Sequence, residues 1–263
     1  MNIAGRSALV TGASGGLGQA IARALAGAGA TLVLSGRRAD VLEALAQELG
    51  ASVAPADLSD ADSVRALAAA HGDIDILIAN AGLPASGRLE SFTEEQIDRA
   101  LRVNLRAPML LAHALAPQMV ARGHGHIVLM SSLSGKAPSA GSSVYSATKF
   151  GLRGFAGALR AELHGSGVGV SAIFPGFIRD AGMFDDAGVT LPRGTGTKTP
   201  VQVAKATLRA IEKNRGEIDV APVALKLGAT ISGIAPELAA AVTRKAGGDD
   251  VAAQFQAGQL DKR

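Results

Sequence analysis

Residues 7–30, SALVTGASGGLGQAIARALAGAGA, read in direct succession as a short apolar strand, a glycine-rich turn and a helix. Ser7 to Val10 form the strand, and QAIARALAGAGA carries the apolar spacing of a helix. Gly12, Gly16 and Gly18 let the backbone turn tightly and come close to a pyrophosphate, while the free amides at the helix start favour its negative charge. The spacing is G-x3-G-x-G rather than the G-x-G-x-x-G of the usual dinucleotide fingerprint. It is the place of the turn, between strand and helix, that points to a phosphate site.

Working outward, the next strand, TLVLSG at 31–36, ends at Arg37 and Arg38. Gly36 stands where NAD-binding units of this kind carry an acid for the adenosine ribose hydroxyls. A neutral Gly36 followed by Arg37 suits a 2′-phosphate instead, because guanidinium binds phosphate in a bidentate fork. Two arginines that only solvate a strand end are the other reading. Helix 39–49 follows, with Val41, Leu42, Leu45 and Leu49 on one face. A third strand around SVAPA (52–56) leads to Asp57, and a fourth, IDILIAN (74–80), leads to the NAG of 80–82. Both ends belong to the ligand crevice of an open parallel sheet, where Asp57 would face an adenine amine and Asn80 would pack at the adenosine. Asp57 also reads as a helix cap, since Ser59 and Asp60 precede a helical run. The alternation predicts a doubly wound, Rossmann-like parallel sheet in three α/β/α layers, one domain over 1–263.

The chemistry-bearing stretch is SLSGKAPSAGSSVYSATK, residues 132–149. Tyr145 and Lys149 are four residues apart, one helical turn on the same face. Unit charges about 4 Å apart at an effective dielectric of about 20 interact by roughly 4 kcal/mol, equivalent to about three units on a tyrosine pKa. The spacing therefore predicts a phenol made more acidic by its lysine, with burial opposing part of the shift. Ser132 would bind the same substrate oxygen. A solvated helix start and an ordinary loop serine form the competing reading, although Tyr145 is the chain's only tyrosine.

The set TGASGGLG (11–18), Asp57, NAG (80–82), Asn104 in RVNLRAP, Ser132, YSATK (145–149) and PG at 175–176 resembles the short-chain dehydrogenase/reductase family, over residues 5 to about 220. The resemblance implies a catalytic tetrad of Asn104, Ser132, Tyr145 and Lys149. Tyr145 would give its proton to a carbonyl oxygen as a nicotinamide delivers hydride, Ser132 would hold that oxygen, Lys149 would hold the nicotinamide ribose and Asn104 would position a relay water. It implies cofactor contacts from Gly12, Ser14, Gly15, Gly16, Leu17, Gly18, Arg37 and Arg38 at the glycine turn and second strand. Asp57, Leu58, Asn80, Ala81, Gly82, Pro175, Gly176 and Ile178 would add contacts from the other strand ends, and Leu133, Phe177, Met183 and Phe184 would join Ser132 at the substrate. One departure stands out: Asp180 occupies the position, four residues after Gly176, where the family places a threonine.

Helices 108–122 and 145–163 are apolar around much of their circumference, and in the relatives this pair builds a dimer interface. Residues 181–199 mix glycine and proline with Met183, Phe184, Val189 and Leu191 and read as a substrate loop. After helix 200–213 and the strand EIDV, residues 221–263 lack the VDGG tail of many relatives and read as a helical cap over the substrate mouth. A membrane-surface anchor is the alternative for that tail. No cysteine is present, which excludes disulfides and thiolate chemistry and suits the cytoplasm. The net charge of +3 is spread, only 3% of residues are aromatic, and the five histidines have no zinc spacing. Nucleic-acid and metal roles are thus not expected. The expectation is an NADP-preferring oxidoreductase of an apolar ketone or secondary alcohol, NAD(H) being the lesser cofactor, in a homo-oligomer. A 3-oxoacyl carrier-protein reductase and a catalytically silent dinucleotide-binding regulator are the rivals.

Overall fold

The structure, a computed structural model, describes residues 1–192, 194–245 and 247–259 of the chain. Arg193, Ala246 and the last four positions of the expected substrate loop and tail lie outside the described residues. The strands are β1 (Ser7–Thr11), β2 (Thr31–Ser35), β3 (Ser52–Val53), β4 (Ile76–Ala79), β5 (Gly125–Met130), β6 (Val168–Pro175) and β7 (Glu217–Val220). Among the described residues they form one parallel sheet in the order β3-β2-β1-β4-β5-β6-β7. The order reverses between β1 and β4, which opens a crevice at their carboxyl ends.

The period of two along each strand divides the core. Ala8 and Val10 of β1, Ile76 and Ile78 of β4, and Val128 and Met130 of β5 face α1 (Gly16–Gly27), α2 (Ala39–Leu49) and α7 (Pro200–Lys213), through Ile21, Leu25, Leu42, Leu45, Val203 and Ile211. Leu9, Leu77, Ile127 and Leu129 face the other way, against α3 (Ala61–Ala70), α5 (Ala107–Arg122) and α6 (Ser143–Glu162). Burial on both faces explains why the central strands read as unbroken apolar runs. The expected third strand is the one that shrinks. Regular strand geometry stops at Val53, although Ala54 and Ala56 still donate to the Leu34 and Gly36 carbonyls; Pro55, which has no N–H, stands between them on the open side of this edge strand.

Residues 83–106, to which no helix or strand was assigned from the sequence, hold α4 (Glu94–Leu101), capped by a reciprocal Thr93–Gln96 box, and a π-type turn over Arg102–Arg106 that runs into α5. Beyond β7 the chain forms α8 (Val223–Ile234), α9 (Pro236–Lys245) and α10 (Gly248–Gln259). Among the described residues no helix is long and apolar enough to cross a membrane.

One buried titratable group lies away from the crevice. His126 of β5 is 1% exposed and shares a 2.8 Å hydrogen bond with the Ser171 hydroxyl. Burial, with the N-terminal ammonium and Arg160 adding, pushes its pKa from 6.5 down to about 3. The folded state holds it neutral, whereas the unfolded chain takes up a proton below its ordinary value. Its stabilising contribution is therefore whole above about pH 6.5 and is lost as pH falls toward the folded value. By about pH 5 the loss is about 2 kcal/mol. His126→Gln should flatten the fall in melting temperature between about pH 7 and 5; a slope identical to the wild type's would contradict this.

Candidate active site

At the end of β1 the chain enters the glycine turn with Gly12 at φ 64°. A Cβ there would stand 2.7 Å from Ala81 Cα, and one at Gly18 would stand 2.2 Å from the Gly12 carbonyl oxygen. Glycine is required at both because backbone packs on backbone. Thr11 locks the junction: its hydroxyl donates to the Ile78 carbonyl and accepts from the amides of Asn80 and Ala81. Asn80 Nδ2 donates in turn to the carbonyls of Thr11 (3.1 Å) and Gly12 (3.3 Å). Asn80 thus braces the phosphate turn against β4. α1 begins at Gly16 with no side-chain cap and no acid in its first turn, which leaves its amides for an anion.

These residues line a cavity of about 770 Å³ along the carboxyl ends of the strands. Ser14, Gly15, Gly16, Leu17 and Gly18 form its floor, and Arg37 and Arg38 stand at one end. Arg38 Nη2 donates to the Ser14 carbonyl, so of the two arginines Arg38 is engaged with the turn itself. Asp57 and Leu58 lie beside them, and Ala81, Gly82, Pro175, Gly176 and Ile178 continue the wall toward Lys149. Asp57 accepts from the amide (2.9 Å) and hydroxyl (2.8 Å) of Ser59. Those bonds, aided by Arg37 and Arg99, hold its pKa below the usual carboxylate value. The cap of α3 is Asp60, which accepts from the amides of Asp62 and Ser63.

At the other end Ser132, Tyr145 and Lys149 converge. Ser132 follows β5, while Tyr145 and Lys149 occupy successive turns of α6. The phenol is shifted in the direction opposite to that expected from the spacing. Lys149 is 3% exposed, and its Nζ donates to the Met130 carbonyl at 2.9 Å and lies 5.5 Å from the Tyr145 ring centroid. Burial alone brings its pKa down to about 8. Part of the Tyr145 ring is open to the cavities, but its hydroxyl lies deep among protein atoms. Burial pushes the phenol up to about 12, against a smaller opposing effect of its hydrogen bond with Ser132. Desolvation, rather than the lysine's charge, dominates the phenol.

Asn104 sits in the π-type turn and is fully buried. Its Oδ1 accepts from the Leu83 amide at 2.6 Å and its Nδ2 donates to the Leu83 carbonyl at 2.9 Å. It lines neither cavity described here, so the expected water-positioning role meets an amide committed to backbone. Gly82 separates it from the lysine: a Cβ there would be 3.4 Å from Asn104 Oδ1 and 3.7 Å from Lys149 Nζ.

A second cavity of about 580 Å³ meets the first at Ser132, Tyr145, Gly176, Met183, Phe184 and Gln259. Its walls are mostly apolar and include Leu133, Phe177, Leu191, Leu225, Ile231 and Phe255, with Ser134, Ser139 and Ser142 at one side. Phe184 and Phe255 pack 6.1 Å apart, and both contact Phe177, at 5.3 and 6.2 Å. α10 is tied to the rim through Gln254, which accepts from the Thr190 amide, and Gln256, which accepts from the Arg88 amide. Asp180 is left out. It has φ 70°, pairs with Arg179 at 3.5 Å and lines neither cavity. Thr11, which braces the turn, and Arg99, Phe255 and Gln259, which line the cavities, were not expected at the site from the sequence. Thr11 adjoins the glycine turn and was findable; the α10 residues carry no local signal.

The profile of the family described as short chain dehydrogenase matches residues 6–190. The "Ketoacyl reductase HetN" of Nostoc sp. is 39% identical over 227 residues, covering 83% of this chain and 79% of that one. The "Dehydrogenase/reductase SDR family member 7B" of Bos taurus is 33% identical over 255 residues, 88% of this chain and 78% of its own. Among solved structures, a short-chain dehydrogenase from Sphingobium yanoikuyae in complex with NADPH superposes with a TM-score of 0.76 at 32% identity, over 89% of this chain and 94% of that one.

Proposed function

Since the chain belongs to the short-chain dehydrogenase/reductase family, and is thus a nicotinamide-dependent oxidoreductase of CH–OH or carbonyl groups, we propose that it interconverts an apolar ketone and its secondary alcohol with NADP(H) preferred to NAD(H). The observation that carries this reading is the meeting of an arginine-ended cavity with a more apolar one at Ser132 and Tyr145. The residues fit a dinucleotide: a glycine cradle that a Cβ would fill, an uncapped helix start and a guanidinium beside a neutral glycine. When bound, the nicotinamide supplies or takes the hydride.

Tyr145 donates its phenolic proton to the carbonyl oxygen as that oxygen gains charge, and takes it back in the oxidation direction. The hydroxyl of Ser132 holds the same oxygen. A phenol kept protonated by burial is ready as an acid at neutral pH. The nearby Lys149 ammonium stabilises the phenolate left behind and holds the cofactor ribose. Asn104 acts through position, fixing Leu83 and the backbone beside Gly82.

The test is loss of reduced-nicotinamide absorbance with a panel of ketones. Turnover of none of them would favour the silent-regulator reading. The apolar wall makes a further prediction. Phe255→Ala should raise KM about tenfold or more for bulky apolar ketones and leave small ones nearly unchanged, since burying an aromatic side chain is worth about 2 kcal/mol. Equal losses for both sizes would assign Phe255 to folding alone. The name of the Nostoc relative favours one narrower reading, reduction of a 3-oxoacyl chain. Acyl thioesters in the panel would reveal it. Met109, Val120 and Phe150 on α5 and α6 are exposed apolar groups suited to a homo-oligomer, and the lack of cysteine suits a cytoplasmic setting.

A further inference from the structure

Gln259, the last described residue of α10, is 2% exposed although it lies far beyond the segment matched to the family. Its Nε2 donates to the Met183 carbonyl at 3.0 Å. Among the described residues its Oε1 is buried with no hydrogen-bond partner, which is unfavourable for an amide oxygen removed from water. Exchanging the two amide atoms would not relieve this, because Oε1 would then confront the Met183 carbonyl, acceptor against acceptor. The Met183 carbonyl therefore holds the amide in one orientation and leaves Oε1 buried and unpaired among the described residues. The other buried side-chain atom without a partner among the described residues, Ser35 Oγ, opens into neither cavity. Gln259 lines both, at their junction. Asp180, which stands where the family has a threonine and could accept from a nicotinamide carboxamide, is turned outward onto Arg179.

We propose that Gln259 Oε1 accepts a hydrogen bond from an N–H or O–H donor of the ligand at this junction, and so sets which ligand is held there. The donor is the carboxamide of the nicotinamide or a hydroxyl beside the reacting carbonyl of the substrate. The inference rests on the function proposed above, and it makes the C-terminal helix part of the binding site as well as its cover. The hydrogen bond from the Gln259 amide to the Met183 carbonyl also couples α10 to residues 181–183, where Ala181 lies against Gly16 at the start of α1.

The experiment is calorimetric titration of wild type, Gln259→Leu and Gln259→Glu. NADPH is titrated first, then cyclohexanone and 2-hydroxycyclohexanone on protein saturated with NADP⁺. Gln259→Leu should weaken either NADPH or the hydroxyketone about tenfold, with cyclohexanone nearly unchanged. The affected ligand identifies the donor: NADPH the carboxamide, the hydroxyketone the substrate hydroxyl. Gln259→Glu should recover most of the loss, because its carboxyl keeps the acceptor oxygen and, when protonated, the bond to Met183. Unchanged affinities in Gln259→Leu overturn the proposal. So does equal weakening of the two ketones, or a general loss with a lower melting temperature that glutamate does not rescue, either of which leaves Gln259 as a tether. A wild type that binds NADPH and both ketones yet turns neither over refutes the proposed activity, and these affinities still decide the role of Gln259.

Discussion

Tyr145→Phe lowers kcat by about 10²–10⁴-fold and leaves the affinity for NADPH at the wild-type value. The phenyl ring still fills the wall shared by the two cavities, so only the hydroxyl and its bond with Ser132 are lost. In the proposed reaction that hydroxyl is the proton donor, and neither Ser132 nor the amide of Asn104 replaces it. The serine is not acidic enough, and both groups of the amide are bonded to Leu83. Single-turnover reduction of a ketone by enzyme-bound NADPH, together with a binding titration, measures both halves. A variant that retains more than about a tenth of the wild-type rate is incompatible with Tyr145 as general acid. The titration behaviour of the site adds a pH dependence. The phenol, pushed up to about 12, stays protonated through the neutral range, while Lys149, brought down to about 8, does not keep its charge as far into the alkaline range. Reduction should therefore slow as pH rises through about 8, where the cation that supports the phenolate discharges.

Arg37→Ala weakens NADPH by about ten- to a hundredfold and leaves NADH nearly unchanged, because a charge-assisted hydrogen bond to the 2′-phosphate is worth about 1.5–3 kcal/mol. Arg37 is the residue to change, since Arg38 is engaged with the Ser14 carbonyl and its loss would also loosen the glycine turn. Gly36→Asp should move preference the same way by placing a carboxylate against the phosphate. Its Cβ would meet Ser14 Oγ at 3.1 Å, a contact that rotation of the serine hydroxyl relieves. Parallel titrations of the two cofactors decide the matter. A wild-type preference for NADH, or an Arg37→Ala protein with unaltered NADPH affinity, would remove the 2′-phosphate argument.

Much of the architecture was readable in local pattern. The apolar runs of β1, β4 and β5 and the crossover helices between strands dictate a parallel sheet covered on both faces, because only such a sheet buries every residue of a strand. The glycine turn was readable too, since a backbone approach as close as Gly18 to the Gly12 carbonyl admits no side chain. The spacing of Tyr145 and Lys149 gave their common helical face, but it did not give the sign of the phenol's shift. Charge spacing is local information, whereas burial is contributed by every element around the group.

By itself, then, the chain's pattern determined the doubly wound sheet, the glycine cradle and the common helical face of Tyr145 and Lys149, which follow from periodicity and from short-range steric limits; the place of Ser132 beside them was implied by the family resemblance. Only the tertiary structure decided which groups are free to act. It committed Asn104 to Leu83 and Arg38 to Ser14, turned Asp180 out to Arg179, and carried Phe255 and Gln259 of α10 into the mouth. Apart from the Arg179–Asp180 pair, those outcomes depend on hydrogen bonds and contacts between residues far apart in sequence, such as Met183 and Gln259. Their partners are chosen by packing after the sheet has formed, and no local spacing encodes them.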